Sequence, residues 1–234
     1  MGGWIKFKGV SSADLGCKIE SMPAEAAPKR RIETIKIPGR SGDLHVDENA
    51  YDSVTLTAVL NLAGRADVRA VMAWLDGRGD LVLSDSAQYR RKAVVIDGVP
   101  FKRRRLHNGE QYDSFTVKFD CDPFLYQVDP QATPLYEPFT LVNQGALPAE
   151  PLLRVYGRGN VVLAVGDVSV TLTDLSGAVA IDCDAKLAYT IGANTPVAIT
   201  LNDEKWPVLG LGGTRISWSG QVEKVIVEPN WRWL

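Results

Sequence analysis

Histidine is nearly missing from this chain of 234 residues, which has only His45 and His107. That removes most of the material for the commonest general base and metal ligand. In His45-Val46-Asp47 the two polar side chains share a face if the backbone is extended, but no third ligand lies nearby. The segment reads as a solvated, turn-rich loop. His107-Asn108-Gly109 reads as a hairpin tip, because Asn-Gly favours the type I′ turn. No G-x-S-x-G elbow, H-E-x-x-H helix or P-loop is present. Gly210-Leu211-Gly212-Gly213 precedes a strand rather than a helix, so no helix N-terminus waits there for a phosphate. Asp182 and Asp184 flank Cys183 on one strand face, which reads as a hairpin end with solvated acids. No catalytic residue, cofactor or metal site is expected, and an uncharacterised hydrolase would lack both a nucleophile and a metal set.

Cysteine is scarce too. Cys17, Cys121 and Cys183 are too few and too scattered for a disulfide framework or a zinc site. They read as reduced, partly buried small side chains. No apolar run reaches membrane-spanning length, and Met1-Gly2-Gly3-Trp4-Ile5-Lys6 lacks the apolar segment of a signal peptide. The expectation is a chain made and kept in a reducing cytosol until something releases it. Excess positive charge is lacking as well: the formal net charge is -2, so nothing global argues for nucleic acid. Acids and bases nearly balance over residues 1–133, and the remainder is acidic.

What the chain does have is β-signal. Trp4 to Lys8 alternates, as do residues 31–37, and Pro38-Gly39-Arg40-Ser41-Gly42-Asp43 marks a tight connection. Residues 51–62 read as one long strand with Val54, Leu56, Ala58 and Leu60 on a single face. One helix interrupts the strands. From Arg65 to Leu75, the residues Val68, Val71, Met72 and Leu75 form an apolar stripe, with Asp67 in the first turn and Gly77 as the stop. Further strands follow at residues 80–83, 90–96, 101–106 and 114–120.

Pro130, Pro134 and Pro138 punctuate a linker-like stretch. It separates an N-terminal β domain, residues 1–133 with one helix at about 65–76, from a C-terminal β-sandwich over residues 134–234. The second domain shows about eight short strands, among them 152–156, 161–165, 168–172, 178–182, 214–218 and 222–228. Trp231 and Trp233 share one face of a terminal extended segment, which is expected to pin the C-terminus by packing. The fold class is mainly β.

Basic clusters are concentrated in the first domain: Lys29-Arg30-Arg31, Arg90-Arg91-Lys92 and Lys102-Arg103-Arg104-Arg105. A nucleic-acid face would gather such charges on one side with interleaved aromatics. Along a strand they alternate between faces instead, and nearly as many acids surround them. Contacts between subunits are the better reading, with Arg40, Arg90, Arg91, Lys102, Arg103, Arg104 and Arg105 as candidate interface residues.

Several segments resemble, in order, the elements of one known protein family. The run from Phe7 to Gly16 is similar to the family's opening strand and turn. Ile37-Pro38-Gly39-Arg40-Ser41-Gly42 resembles its IPGRxG element, and Trp74 to Leu81 its helix end, turn and strand. Gly145 to Gly157 resembles the entry to a galectin-like domain, and Ile216 to Leu234 the closing pattern. Running in order over nearly the whole chain, these segments together resemble the distal tail protein family of long, non-contractile-tailed bacteriophages. The resemblance implies a hexameric ring of N-terminal domains around a channel, with galectin-like C-terminal sandwiches projecting outward. Partners implied are other copies of the chain, the tail tube protein and the tail-tip protein, with the tape measure protein and receptor-binding proteins as further contacts. DNA would only pass through the channel, nothing would insert in a membrane, and the protein would end at the virion tail tip after assembly in the host cytoplasm. The competing reading, carbohydrate binding or receptor adaptation through the galectin-like domain, lacks the histidine of sugar-binding galectin sites. It would rest on Trp206 or Trp218.

Overall fold

A computed structural model describes residues 3–63 and 67–234. Strands make up 57% of the chain and helices 6%, so the mainly β reading holds. Met1, Gly2 and Arg65, where the periodicity begins the helix, lie outside the described residues. The chain divides into two compact units, residues 1–128 and 129–233.

The first unit contains β1 (Ile5–Phe7), β2 (Val10–Ser11), β3 (Cys17–Ser21), β4 (Arg30–Ile35), β5 (Leu44–Tyr51), β6 (Val54–Ala63), α1 (Val68–Trp74), β7 (Gly77–Leu83), β8 (Tyr89–Val95), β9 (Lys102–Arg105), β10 (Gln111–Cys121) and β11 (Leu125–Gln127). Its sheet runs β2-β1-β7-β8-β10-β6-β3, with β9 beside β10 and β11 beside β8. On β6 the side chains of Val54, Leu56, Ala58 and Leu60 are buried on one face, as the alternation predicts. They join Ile5, Phe7, Leu81, Phe115, Val117 and Phe119 in one core. Tyr51, however, ends β5 rather than opening β6, because Asp52 and Ser53 interrupt the extended run.

The helix is shorter than expected and turned. Asp67 is its N-cap, its carboxylate accepting from Arg69 N at 2.8 Å. Val71 and Leu75 are buried as the stripe requires, but Met72 is 49% exposed. Trp74 takes the inward position instead. Its large ring is buried and its Nε1 donates to the Phe7 carbonyl at 2.9 Å, which ties α1 to β1.

The second unit contains β12 (Thr133–Leu135), β13 (Phe139–Val142), β14 (Leu152–Val165), β15 (Val168–Asp182), β16 (Leu187–Thr190), β17 (Thr200–Leu201), β18 (Gly213–Glu228) and β19 (Arg232–Trp233). The sheet order is β12-β18-β14-β15-β16, with β13 on β18 and β17 on β15. Pairs of short strands expected from the sequence are fused into three long ones. β14 and β18 change register at Tyr156/Gly157 and Arg158/Val162, and β14 and β15 at Gly159/Val161. A bulge bends a strand without ending it, so the sheet curls over its own core of Leu153, Val155, Leu163, Val170, Ile181 and Val225.

The stretch marked by prolines is not all linker. β12 pairs with Val225–Val227 of β18, and Leu135 is buried. Pro134 is tolerated because β12 lies at the sheet's edge. Trp231 is buried in the same core, which anchors the C-terminal segment. Arg232 reinforces it, donating to the Pro148 carbonyl and to Glu150 Oε2 at 3.1 Å.

Candidate subunit interface

Two features of the first unit stand apart from its core. The first is the hairpin of β4 and β5, a separate two-stranded sheet. Its strands pair Ile35 with Leu44, Thr34 with His45, Glu33 with Val46 and Ile32 with Asp47. Directly opposed residues share a face, so Ile35, Leu44 and Val46 line one side with Glu33. Every residue of β4 and most of β5 are exposed. Three neighbouring aliphatic side chains in water are not what a free two-stranded sheet is built to carry.

The other side of the hairpin carries the exposed Ile32 beside a polar network. Arg30 Nε donates to Asp47 Oδ2 at 2.6 Å, and its guanidinium also reaches Asn49 Oδ1 and the Tyr51 hydroxyl. The Asn49 backbone N–H, 2.8 Å from Asp47 Oδ1, and then the Arg30 hydrogen bond hold the Asp47 carboxyl below its ordinary range. His45 lies on a strand, not in a loop as the sequence suggested. Its Nδ1 is 3.2 Å from Thr34 Oγ1. Among the described residues no group of three His, Cys, Asp or Glu is placed to hold a metal ion.

Arg40 sits in the turn at the hairpin's tip. Its backbone N–H donates to the Ile37 carbonyl at 3.1 Å, closing a turn with Pro38 and Gly39 at the centre. Gly39 has φ +81, the left-handed value that a type II turn demands at that place. No neighbour crowds a Cβ there, so backbone conformation alone explains the glycine.

The second feature is β9, an edge strand. Among the described residues it pairs with β10 only, Arg105 opposite Gln111, Arg104 opposite Tyr112, Arg103 opposite Asp113 and Lys102 opposite Ser114. All four residues of β9 are exposed. Arg103 makes a two-pronged contact with the buried Asp113, Nε to Oδ1 at 2.8 Å and Nη2 to Oδ2 at 2.9 Å. The loop to β10 is not a type I′ turn: Gly109 has φ +89, while Asn108 keeps a negative φ. Leu106 N donates to Glu110 O, and Gly109 N to Leu106 O. That is a type I turn closed by a left-handed glycine, which a three-residue connection favours.

The remaining basic residues serve their own unit. Arg90 Nη1 is 2.9 Å from Asp80 Oδ1, and its guanidinium lies over the Tyr126 ring. Arg91 is 4% exposed and donates to the Pro123 carbonyl at 3.0 Å. The structure therefore does not bring the sequence-predicted set together on one surface. Lys102, Arg104 and Arg105 remain exposed on β9, and Arg40 at the hairpin tip.

No protein-family model matches the sequence, and no curated protein is similar enough in sequence to count as a relative. A solved structure does match. The Dit protein of phage SPP1, described as a paradigm of the hub adsorption apparatus in phages infecting Gram-positive bacteria, superposes with a TM-score of 0.72 over 100% of both chains, at 13% sequence identity. The fold is that of SPP1 Dit. At that identity the Dit likeness speaks for the fold and leaves side-chain roles to be read from this chain.

Asp113 offers a direct check on the β9–β10 geometry. The Arg103 hydrogen bonds hold its carboxyl below the usual value. A group depressed in the folded state contributes stability above its unfolded value, about 3.9 for aspartate, and loses it as pH falls through the lower folded value. The stability gap between wild type and Asp113→Asn should therefore stay level from neutrality to about pH 4 and narrow below it. Denaturation midpoints across the acid range measure this, and a gap closing near neutrality would place its origin elsewhere.

The three cysteines are buried and unpaired. Burial pushes the Cys17 thiol up to about 11 and those of Cys121 and Cys183 up to about 12. Because the thiolate is the reactive form, a thiol reagent should find none of them in the native protein and all three after unfolding. Rapid labelling of native Cys183 would contradict its placement. In the second unit, Trp206 and Trp218 are partly buried and pack against the core.

Proposed function

We propose that this protein is a structural hub of a phage tail tip, non-catalytic, and assembled from six copies into a ring with a channel for DNA. The observation that carries this reading is the match of the whole chain to SPP1 Dit, a hub protein, with neither chain leaving a segment over. The hairpin supports it, because its exposed Ile35, Leu44 and Val46 are suited to burial against a neighbouring subunit. The first unit forms the ring, and the second is a galectin-like sandwich that faces outward as an adaptor. Arg40, Lys102, Arg104 and Arg105 belong to the surface between copies, and the tail tube and tail-tip proteins bind the ring's two ends. Its place is the virion tail tip.

Negative-stain images and light scattering of the purified chain, alone and with its tail partners, test the reading. Six-fold rings with peripheral lobes are the expected result. A strict monomer at high concentration, and tails assembled without a ring, would overturn it.

A further inference from the structure

We infer that the subunits join by strand addition, the outer edge of β5 in one copy lying along the outer edge of β9 in the next. This rests on the ring reading above and adds which two surfaces meet.

Both edges are open: among the described residues β5 pairs with β4 alone and β9 with β10 alone. An open edge presents unpaired backbone N–H and C=O groups that a further strand can satisfy. The charges select which strand that is. β9 is Lys102-Arg103-Arg104-Arg105, whereas β5 and its entry carry Asp43, Asp47 and Glu48 and no lysine or arginine. The hairpin's other edge, β4, carries Arg30 and Arg31 against the single acid Glu33, so it offers β9 no net negative charge.

The complementarity holds on both faces. Glu48 shares the side of Val46 and Leu44, while Asp43 and Asp47 share the side of His45. On β9, Arg103 and Arg105 alternate with Lys102 and Arg104. Whichever way up β5 docks, acid meets base. The basic run also keeps the β9 edge from accepting strands at random, since only an acidic one is attracted to it.

Because the two edges are different surfaces of one unit, the contact is head-to-tail. Such contacts propagate from copy to copy and close into rings, which a two-fold contact cannot do. The apolar face of the hairpin would then continue one face of the neighbour's sheet.

Two charge-reversed variants test this under conditions where the wild-type chain forms rings: R104E/R105E and D43K/E48K. Asp47 and Arg103 are left alone because each has an ion-pair partner within the chain. Each variant alone should remain monomeric, its dissociation constant raised at least tenfold, with wild-type thermal unfolding. Mixing the two in equal amounts should restore rings of alternating subunits, and so should the quadruple variant by itself. Raising salt from about 0.1 M to about 1 M, which shortens screening from about 10 Å to about 3 Å, should loosen the wild-type ring. Rings that persist in both variants would overturn the inference and leave the hub reading standing. So would a loss that neither the mixture nor the quadruple variant repairs. A wild-type chain that never leaves the monomer would overturn the hub reading, and this inference with it.

Discussion

Gly220→Ala should destabilise the second unit by roughly 2–5 kcal/mol, summing about 1–3 for overpacking and about 1–2 for a left-handed backbone. Gly220 lies inside β18 with φ +96, and a Cβ there would press into the carbonyl oxygen of Asn160 on β14. That oxygen belongs to backbone and cannot swing away as a flexible side chain could. Gly157 on β14 is the counterpart, its Cβ directed at the Gln221 carbonyl of β18. Its φ is ordinary, so Gly157→Ala isolates the steric share and should cost about 1–3 kcal/mol. The two glycines stand at the register shifts where β14 and β18 bend together. Gly210→Ala is the control: no atom lies within 4 Å of its Cβ position and its φ is not positive. It should change stability by no more than about 0.5 kcal/mol. Hydrogen exchange in β14, β15 and β18 reads the effect locally, and a domain of this size loses about 4–8 °C of Tm per kcal/mol. Wild-type stability in both Gly220→Ala and Gly157→Ala would mean that these strands do not cross so closely.

The same glycines explain what the sequence conceals. Gly157, Gly159, Gly177 and Gly220 read as turns between short strands, and by local chemistry they are legitimate turn residues. Whether a glycine ends a strand or bends it depends on the strand beside it, which periodicity does not report. β5 was missed for a related reason. Leu44 and Val46 alternate with His45 and Asp47, a strand pattern, but Gly42, Asp43 and the acids that follow hide it. The apolar face of the hairpin was therefore invisible until the pairing with β4 was known. β6, by contrast, was plain, because its alternation matches a buried face residue for residue. In α1 the stripe pointed to Met72 over Trp74, since a helical wheel ranks apolar residues by angle. The wheel cannot see that the indole had a carbonyl waiting at Phe7.

The basic clusters divide along the same line. Charge and strand alternation were enough to argue against a nucleic-acid face, yet not enough to say which residues remain available. Arg91 and Arg103 look alike in sequence, each in a run of cations. One is buried against the Pro123 carbonyl, and the other clamps Asp113 across a strand pair. Only the register of β10 against β9 shows that Arg104 and Arg105 have no such acid opposite them, facing Tyr112 and Gln111 instead.

Phe119→Ala should cost the first unit about 3–5 kcal/mol, the usual range for emptying a buried phenylalanine site. Phe119 is 0% exposed, and its ring meets the fully buried Phe7 edge to face with centroids 5.3 Å apart. Loss of that pairing adds about 0.5–1.5 kcal/mol beyond the area uncovered. The position also links stability to assembly. Phe119 is opposite Leu56 in the β10–β6 pairing, and β10 is the strand on which β9 depends for its backbone partners. Weakening β10 therefore weakens the edge at which strand addition is proposed. If the ring is built from the first unit, Phe119→Ala should abolish rings at temperatures where Gly220→Ala still forms them. The two variants cost similar free energy, so a loss of general stability would affect both alike. Imaging them side by side across a temperature series separates the cases, and rings that disappear together would deny the first unit its special part in assembly.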